Sequence, residues 1–334
     1  MEYAFGLRSK PFIYISTSAI FSIIVLFICL SIGSSQISFS ELIRILFASE
    51  NTINSKVIFD IRLPRLLLAF AVGGGLSITG AVFQAMLLNP LAEPYILGIS
   101  SGGAFGAVLS FLIGVSFFGT QIFAFFGALI VIMVVFIVGR RYGELDPNIL
   151  LLSGVMIGAF LSALILIMIT LLGDSLRNAV LWLMGNLSDA NFDQVIYILP
   201  LTIVVSLILS VNAFKYNILS FGNESARSMG INTKLFKNFV YIISSILVGG
   251  LVSVSGIIGF VGLLIPHLVR IIFGMDNRIV VPVSFFIGAT YLMITDTIAR
   301  TIILPAELPV GSITALLGAP LFIFLLRRRY NSIG

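Results

Sequence analysis

Residues able to carry covalent chemistry are sparse in this chain and far apart. Gly98-Ile99-Ser100-Ser101-Gly102 fits the G-x-S-x-G pattern of a nucleophilic serine, and His267 is the only histidine. A serine hydroxyl needs a neighbouring base to lose its proton, so the two raise a membrane-embedded serine hydrolase as one possibility. That motif works at a strand–turn–helix elbow, and its flanks here are apolar and glycine-rich with no such context. Small polar residues among glycines serve close helix packing, which is the preferred interpretation. No G-x-x-x-x-G-K-[ST] occurs, so the chain has no P-loop for ATP. No Cys/His cluster has metal-ligand spacing. Cys29, the only cysteine, sits in an apolar run, so neither an intrachain disulfide nor thiol chemistry is expected. The sequence therefore assigns no catalytic residue, no metal and no cofactor.

Binding chemistry has better candidates. Arg62, Arg65, Asp296, Arg300 and Glu307 lie near the ends of apolar runs, where arginines often anchor a span by snorkelling. Three arginines on one external side could instead form a basic surface for an acidic protein. Asp296 is four residues before Arg300, a spacing that allows an intrahelical pair. Asn89-Pro90-Leu91-Ala92-Glu93-Pro94 puts two prolines and a carboxylate between two spans, as a tight turn or as a gate. Gly222–Ile231, GNESARSMGI, forms a polar island within 214–236. Asn223 is a candidate N-cap, Glu224 suits a first turn, Arg227 shares its face, and Gly230 suits a C′ stop. About two helical turns are not stable alone in water, so this helix needs something to dock against.

The elements that position these residues are membrane spans. The chain has 334 residues, 59% hydrophobic and 10% charged, and its mean hydropathy is +1.15. Runs of about 20 apolar residues identify a polytopic helical membrane protein rather than a soluble domain or a barrel. Ten spans are predicted, at about 12–33, 64–88, 95–115, 119–139, 149–172, 194–213, 237–256, 257–274, 279–299 and 308–326. With the N-terminus inside, only Arg44, Lys56, Arg62, Arg65, Arg177 and Arg300 of the 19 Lys and Arg lie outside. That bias places both termini and the Asn223–Gly230 island in the cytoplasm. The net charge of +5 is accounted for by loop cations at span ends, not by a nucleic-acid surface. Arg8 and Lys10 precede the first apolar run, which is expected to be a retained span rather than a cleaved leader.

Two external segments are expected to be short amphipathic helices. Ser38–Phe47 opens with a Ser38/Glu41 capping box, and Asp174–Asn186 carries the only tryptophan, Trp182. Either could lie on the membrane surface or roof a cavity. A shift of 176 residues pairs Gly73, Gly74, Ser77, Gly80, Leu87, Leu88 and Pro90 with Gly249, Gly250, Ser253, Gly256, Leu263, Leu264 and Pro266. Five spans separate the copies' starts, so they run oppositely, as in the inverted repeats of transporters.

Five motifs in order carry a family resemblance: RLPR at 62–65, the 73–106 region with NPLAEP, GNESARSMGI, GIIGFVGLLIPHLVR at 256–270, and ELPVGSITALLGAPLFIFLL at 307–326. Over essentially its whole length the chain resembles the FecCD-type permeases of bacterial ABC importers for iron–siderophores, haem and cobalamin. The resemblance implies an all-α type II importer permease fold with about ten transmembrane helices in a single domain, 1–334. It implies a second permease subunit, cytoplasmic ATPase subunits and an extracytoplasmic substrate-binding protein. By that similarity Asn223, Glu224, Ser225, Ala226, Arg227, Ser228, Met229 and Gly230 form the ATPase-coupling helix. Asn89, Pro90 and Leu91 match the cytoplasmic gate, and Arg62, Arg65 and Arg300 match the arginines that dock the binding protein. The fifth span, Asp174–Asn186 and the tenth span match the pathway wall, and a hydrolase is set aside.

The function expected is a permease for an iron(III)–siderophore complex in the bacterial cytoplasmic membrane, with haem or cobalamin as alternatives. A secondary transporter driven by an ion gradient is the alternative from another class. It would need intramembrane acids on its pathway, and Glu93 and Asp296 are its candidates.

Overall fold

The computed structural model describes residues 11–33, 37–48, 52–141 and 144–330. Arg8, Lys10 and both chain ends lie outside them. In chain order the helices are α1 (Pro11–Ser31), α2 (Phe39–Ala48), α3 (Ile53–Lys56), α4 (Leu63–Met86), α5 (Ile99–Leu112), α6 (Phe117–Val138), α7 (Pro147–Leu171), α8 (Leu176–Leu183), α9 (Phe192–Val211), α10 (Ala213–Leu219), α11 (Asn223–Ser228), α12 (Thr233–Ser255), α13 (Val261–Phe273), α14 (Asn277–Ala299) and α15 (Val310–Tyr330). Among the described residues the strand pairing is one two-residue ladder, Arg140–Arg141 against Glu144–Leu145, between α6 and α7. Seven segments are long and apolar enough to cross a membrane: α1, the continuous stretch Ile53–Met86, α6, α7, α9, α12 and α14. The apolar helices α5, α13 and α15 are shorter.

The core is built around α4. Twenty of its 24 residues are buried, as an all-round apolar helix requires. It packs on α14, α13, α9 and α12. Glycines permit the approach: a methyl group at Gly73 would collide with the Gly288 carbonyl of α14, and one at Gly80 with the Gly262 carbonyl of α13. By contrast, α7 buries only Leu150, Ser153, Gly154, Leu161 and Ile165 and leaves apolar residues such as Met156, Phe160 and Ile167 exposed.

The amphipathic segments form where expected, the first shifted by one residue and the second shorter. Ser38 Oγ accepts the Glu41 N–H ahead of α2, and α8 covers the middle of 174–186. The second span differs. Pro64 was expected in the first turn of a span, but the helix continues upstream through α3 and a π-helical turn, Val57–Arg62. Proline cannot donate to the preceding turn, and a wider turn before it accommodates the missing bond.

The repeat is expressed as two long–short pairs, α4–α5 and α12–α13. Of the seven identities, Gly73, Gly74, Ser77 and Gly80 lie in α4, opposite Gly249, Gly250 and Ser253 in α12 and Gly256 just after it. Leu87, Leu88 and Pro90 instead belong to an irregular turn, whereas Leu263, Leu264 and Pro266 are helical in α13. Those last three pairs are not structural equivalents.

The breaks inside the two pairs latch together. After α4, Leu88 takes a positive φ of 50°, and a 3-10 turn, Pro94–Leu97, leads to Gly98 at φ 75°. After α12, Phe260 has φ 68°. Glu93 Oε1 accepts the Phe260 N–H at 2.8 Å. The Tyr95 hydroxyl donates to Ile258 O at 3.1 Å and accepts the Ile258 N–H at 3.2 Å. Irregular backbone among membrane helices is stable only when its polar groups are paired inside the protein, and these bonds do that.

Candidate functional site: a displayed helix, a turn after α4 and two cavities

Between α9 and α12 the chain makes a seat and a display. α10 is the seat, with Ala213, Tyr216, Ile218 and Leu219 buried. Its Asn217 ties it to the start of α14: Asn217 Nδ2 donates to Asp276 Oδ1 at 2.7 Å, and Asn217 Oδ1 accepts the backbone and side-chain N–H groups of Asn277, each at 2.9 Å. Asp276 also receives Arg278, from Nε and from Nη2 at 2.7 Å. Burial would raise the Asp276 carboxyl, but these hydrogen bonds hold it below the ordinary value.

α11 is the display. Gly222, at φ 100°, is its N-cap, and Asn223 is the first helical residue, which corrects the expected cap. The tight entry from α10 demands a backbone conformation that only glycine adopts easily. The helix stops as expected at Gly230, φ 84°. Ile231 N–H reaches Ala226 O at 3.0 Å and Gly230 N–H reaches Arg227 O at 2.9 Å, the two bonds of a Schellman motif. Ala226 is fully buried and anchors the helix. Asn223, Glu224, Ser225, Arg227, Ser228 and Met229 are exposed, and Arg227 Nε donates to Thr233 Oγ1 at 3.1 Å. Phe221 and Leu235 add exposed apolar surface beside it. A short helix with its polar face out and large apolar residues at its flanks suits a protein contact.

Asn89, Pro90 and Leu91 form a turn at the end of α4, with Pro90 and Leu91 exposed and Asn89 half-buried. Asn89 Oδ1 accepts the Leu91 N–H at 2.9 Å, and the Ala92 N–H returns to Asn89 O at 3.1 Å. Pro90 and Leu88 border a cavity of about 680 Å³ that also touches Ser220, His267 and Arg270. His267 packs edge-on against Phe322, with ring centroids 5.7 Å apart. Ser100 and Ser101 lie in the first turn of α5, which follows a 3-10 turn and not a strand. The serine-elbow context is thus absent in the fold.

The three arginines expected on the external side are placed differently from the expected basic surface. Arg62, Arg65 and Arg300 are 2%, 4% and 7% exposed. Arg62 donates to Leu30 O at 2.9 Å and Ser31 O at 3.2 Å, and Arg300 to Cys29 O at 2.7 Å. Both therefore pair carbonyls of the last turn of α1, the end that attracts cations. Arg65 holds both carboxylate oxygens of fully buried Asp296 at 3.0 Å and Glu307 Oε2 at 2.6 Å. Asp296 takes its hydrogen bonds from another helix rather than from Arg300. The expectation of an exposed arginine patch is corrected: burial beside α1 and α14 turns all three side chains inward. Span-end position was legible, but the direction of the side chain was not.

On the same side a second cavity of about 960 Å³ is bounded by Asp60, Gln121, Arg177, Trp182 and Asp189. α8 forms one wall, so the Asp174–Asn186 segment encloses a cavity rather than only lying on a surface.

The profile of the FecCD transport family matches residues 21–328. The uncharacterized ABC transporter permease protein YvrB of Bacillus subtilis (strain 168) is 37% identical over 316 residues, 90% of this chain and 90% of that protein. The cobalamin import system permease protein BtuC of Halobacterium salinarum is 40% identical over 274 residues, 82% of this chain and 74% of that protein. Among solved structures, an ABC transporter assigned to the metal-chelate type, in an inward-facing conformation, matches with a TM-score of 0.85 at 31% identity, covering 94% of this chain and 98% of that one.

Proposed function

The chain belongs to the FecCD transport family and is an ABC importer permease, and on that premise we propose that it carries an iron(III)–siderophore complex across the bacterial cytoplasmic membrane. The observation that carries the mechanism is α11, a helix displayed on a clamped seat with its outer face unburied. In this proposal α11 sits in a groove of a cytoplasmic ATPase subunit, and two permease subunits flank a central pathway. An extracytoplasmic binding protein delivers the cargo. ATP-driven closure of the ATPases moves α11 with its seat and with α14. The Asn89–Leu91 turn opens the inner end of the pathway. Arg62, Arg65 and Arg300 act in docking by holding the outer ends of α1, α4 and α14 as one platform. Both chain ends are in the cytoplasm.

The iron cargo is supported by relatives named as Fe(3+)-citrate and iron(3+)-hydroxamate import permeases. Relatives named for cobalamin, hemin and molybdate frame the alternatives. A carrier driven by an ion gradient would require unengaged intramembrane acids. Asp296 is committed to Arg65, and Glu93 to the Phe260 N–H. The test is ATPase stimulation of the reconstituted complex by binding protein loaded with ferric hydroxamates, ferric citrate, haem, cobalamin or molybdate. Stimulation by a ferric siderophore above the others is expected; stimulation by haem or cobalamin alone overturns the cargo. Failure to copurify any ATPase overturns the coupling mechanism.

A further inference from the structure

We propose that the cleft at the cytoplasmic ends of α4, α13 and α14 binds the phosphate of an anionic phospholipid, with Arg270 as its cation. Arg270 stands in the last turn of α13. Its Nη1 donates to Gln84 Oε1 and its Nη2 to Ala81 O at 3.2 Å. Both acceptors are neutral, and no carboxylate among the described residues pairs with this guanidinium. Arg65 and Arg278, by contrast, each hold a carboxylate. A guanidinium has five N–H donors, so the Nε–H and one N–H on each terminal nitrogen remain for a ligand. A partly buried cation without a counter-charge, facing a cavity of about 680 Å³, is an anion site by its electrostatics.

The walls select the source of the anion. Leu88, Ile271 and Met275 line the cleft, and all three are exposed at its mouth, with Ile272 beside them. A hydrated phosphate gains nothing from that surface, whereas acyl chains lying on it gain burial. Basic pockets between spans at the cytoplasmic leaflet suit anionic headgroups. Ser220 and Asn277 also border the cavity; the buried Oδ1 of Asn277, which has no hydrogen bond of its own, can accept from a headgroup hydroxyl but not from the phosphate. Snorkelling alone would send the Arg270 head away from the protein; its bonds to Gln84 and Ala81 turn it inward. Because Leu88 and Pro90 form one wall, an occupant would touch the turn proposed as the gate. That consequence, and the assignment of the cleft to the cytoplasmic leaflet, rest on the proposed function; the binding of an anionic headgroup by Arg270 does not.

The test is native mass spectrometry of the full-length chain with phosphatidylglycerol or phosphatidylethanolamine. Phosphatidylglycerol should be retained about fivefold better, the scale of one basic residue near an anionic surface. Arg270→Gln should abolish the difference and Arg270→Lys should keep most of it. Should Arg270→Gln not fold, an Ile271→Trp reporter in a Trp182→Phe background serves instead: brominated phosphatidylglycerol should quench it more than brominated phosphatidylethanolamine. Equal retention of the two lipids, equal quenching, or unchanged phosphatidylglycerol retention in Arg270→Gln overturns the proposal. Displacement of the lipid by millimolar inorganic phosphate would identify a soluble-anion site, and its loss on assembly with the ATPase a protein partner; either also overturns it.

Discussion

Arg65 draws its role from what surrounds it. Asp296 is fully buried, and Arg65 closes both of its oxygens before reaching Glu307 at the rim. Removing one member of a buried ion pair strands the other, at a cost of about 3–5 kcal/mol. Arg65→Ala should therefore lower thermal stability strongly. Asp296→Asn should cost less, because Glu307 still serves the guanidinium. A thermal unfolding series that ranks the two equally, or both near wild type, would sink this account. The spacing of Arg62, Arg65 and Arg300 showed that they stand at span ends. Whether such a residue points to solvent or to a neighbouring helix depends on how α1 packs beside α4 and α14, and no local pattern encodes that. Asp296 was misjudged for the same reason: the i, i+4 neighbour was visible, and the cross-helix partner 231 residues away was not.

Among the elements, local signals were legible where one stretch of chain decides the outcome. The apolar runs, the Ser38 cap and the Gly230 stop each depend on a few adjacent residues. The breaks after α4 and α12 were read as turns between full spans, because their pairing through Glu93–Phe260 and Tyr95–Ile258 joins distant segments. Two predictions belong at this scale. Gly80→Leu should drive α4 from α13, since the Gly262 carbonyl occupies the space of a side chain. Overpacking of about 1–3 kcal/mol or more should appear as lost folded yield in size-exclusion chromatography; a monodisperse variant of unchanged stability would refute the contact. Asp276→Ala removes the N-cap of α14 and its tie to α10, which should cost about 1 kcal/mol. The folded Asp276 carboxyl is held below its ordinary value, so its contribution is complete above the unfolded value of about 3.9. The deficit of the variant should stay constant from about pH 7 to pH 5 and fade as pH falls through the depressed folded value. A deficit that already varied in that neutral window would assign it to another group.

For the whole molecule the question is how motion at α11 reaches the spans. Asn217 is the shortest route: it sits on α10, five residues before Gly222, and bonds both Asp276 and Asn277 at the head of α14. α14 packs along the length of α4, which ends at the Asn89–Leu91 turn. In the proposed mechanism a displacement of α11 would thus pass to α14, and from it to the core helix that carries the proposed gate. Physical coupling requires such a bonded element, not mere proximity. Asn217→Ala removes three hydrogen bonds to that head while leaving buried Tyr216, Ile218 and Leu219 to seat α10. The assembled transporter should then keep its ATPase subunits and hydrolyse ATP, yet lose stimulation by loaded binding protein and about tenfold of its uptake, as a coupling loss of about 1.4 kcal/mol implies. Uptake and stimulation that both survive would show that α11 transmits through α12 instead, by way of the Arg227–Thr233 contact. Loss of the ATPase from the complex would mean that Asn217 shapes the docking surface, and the proposed route through α14 would fall with it.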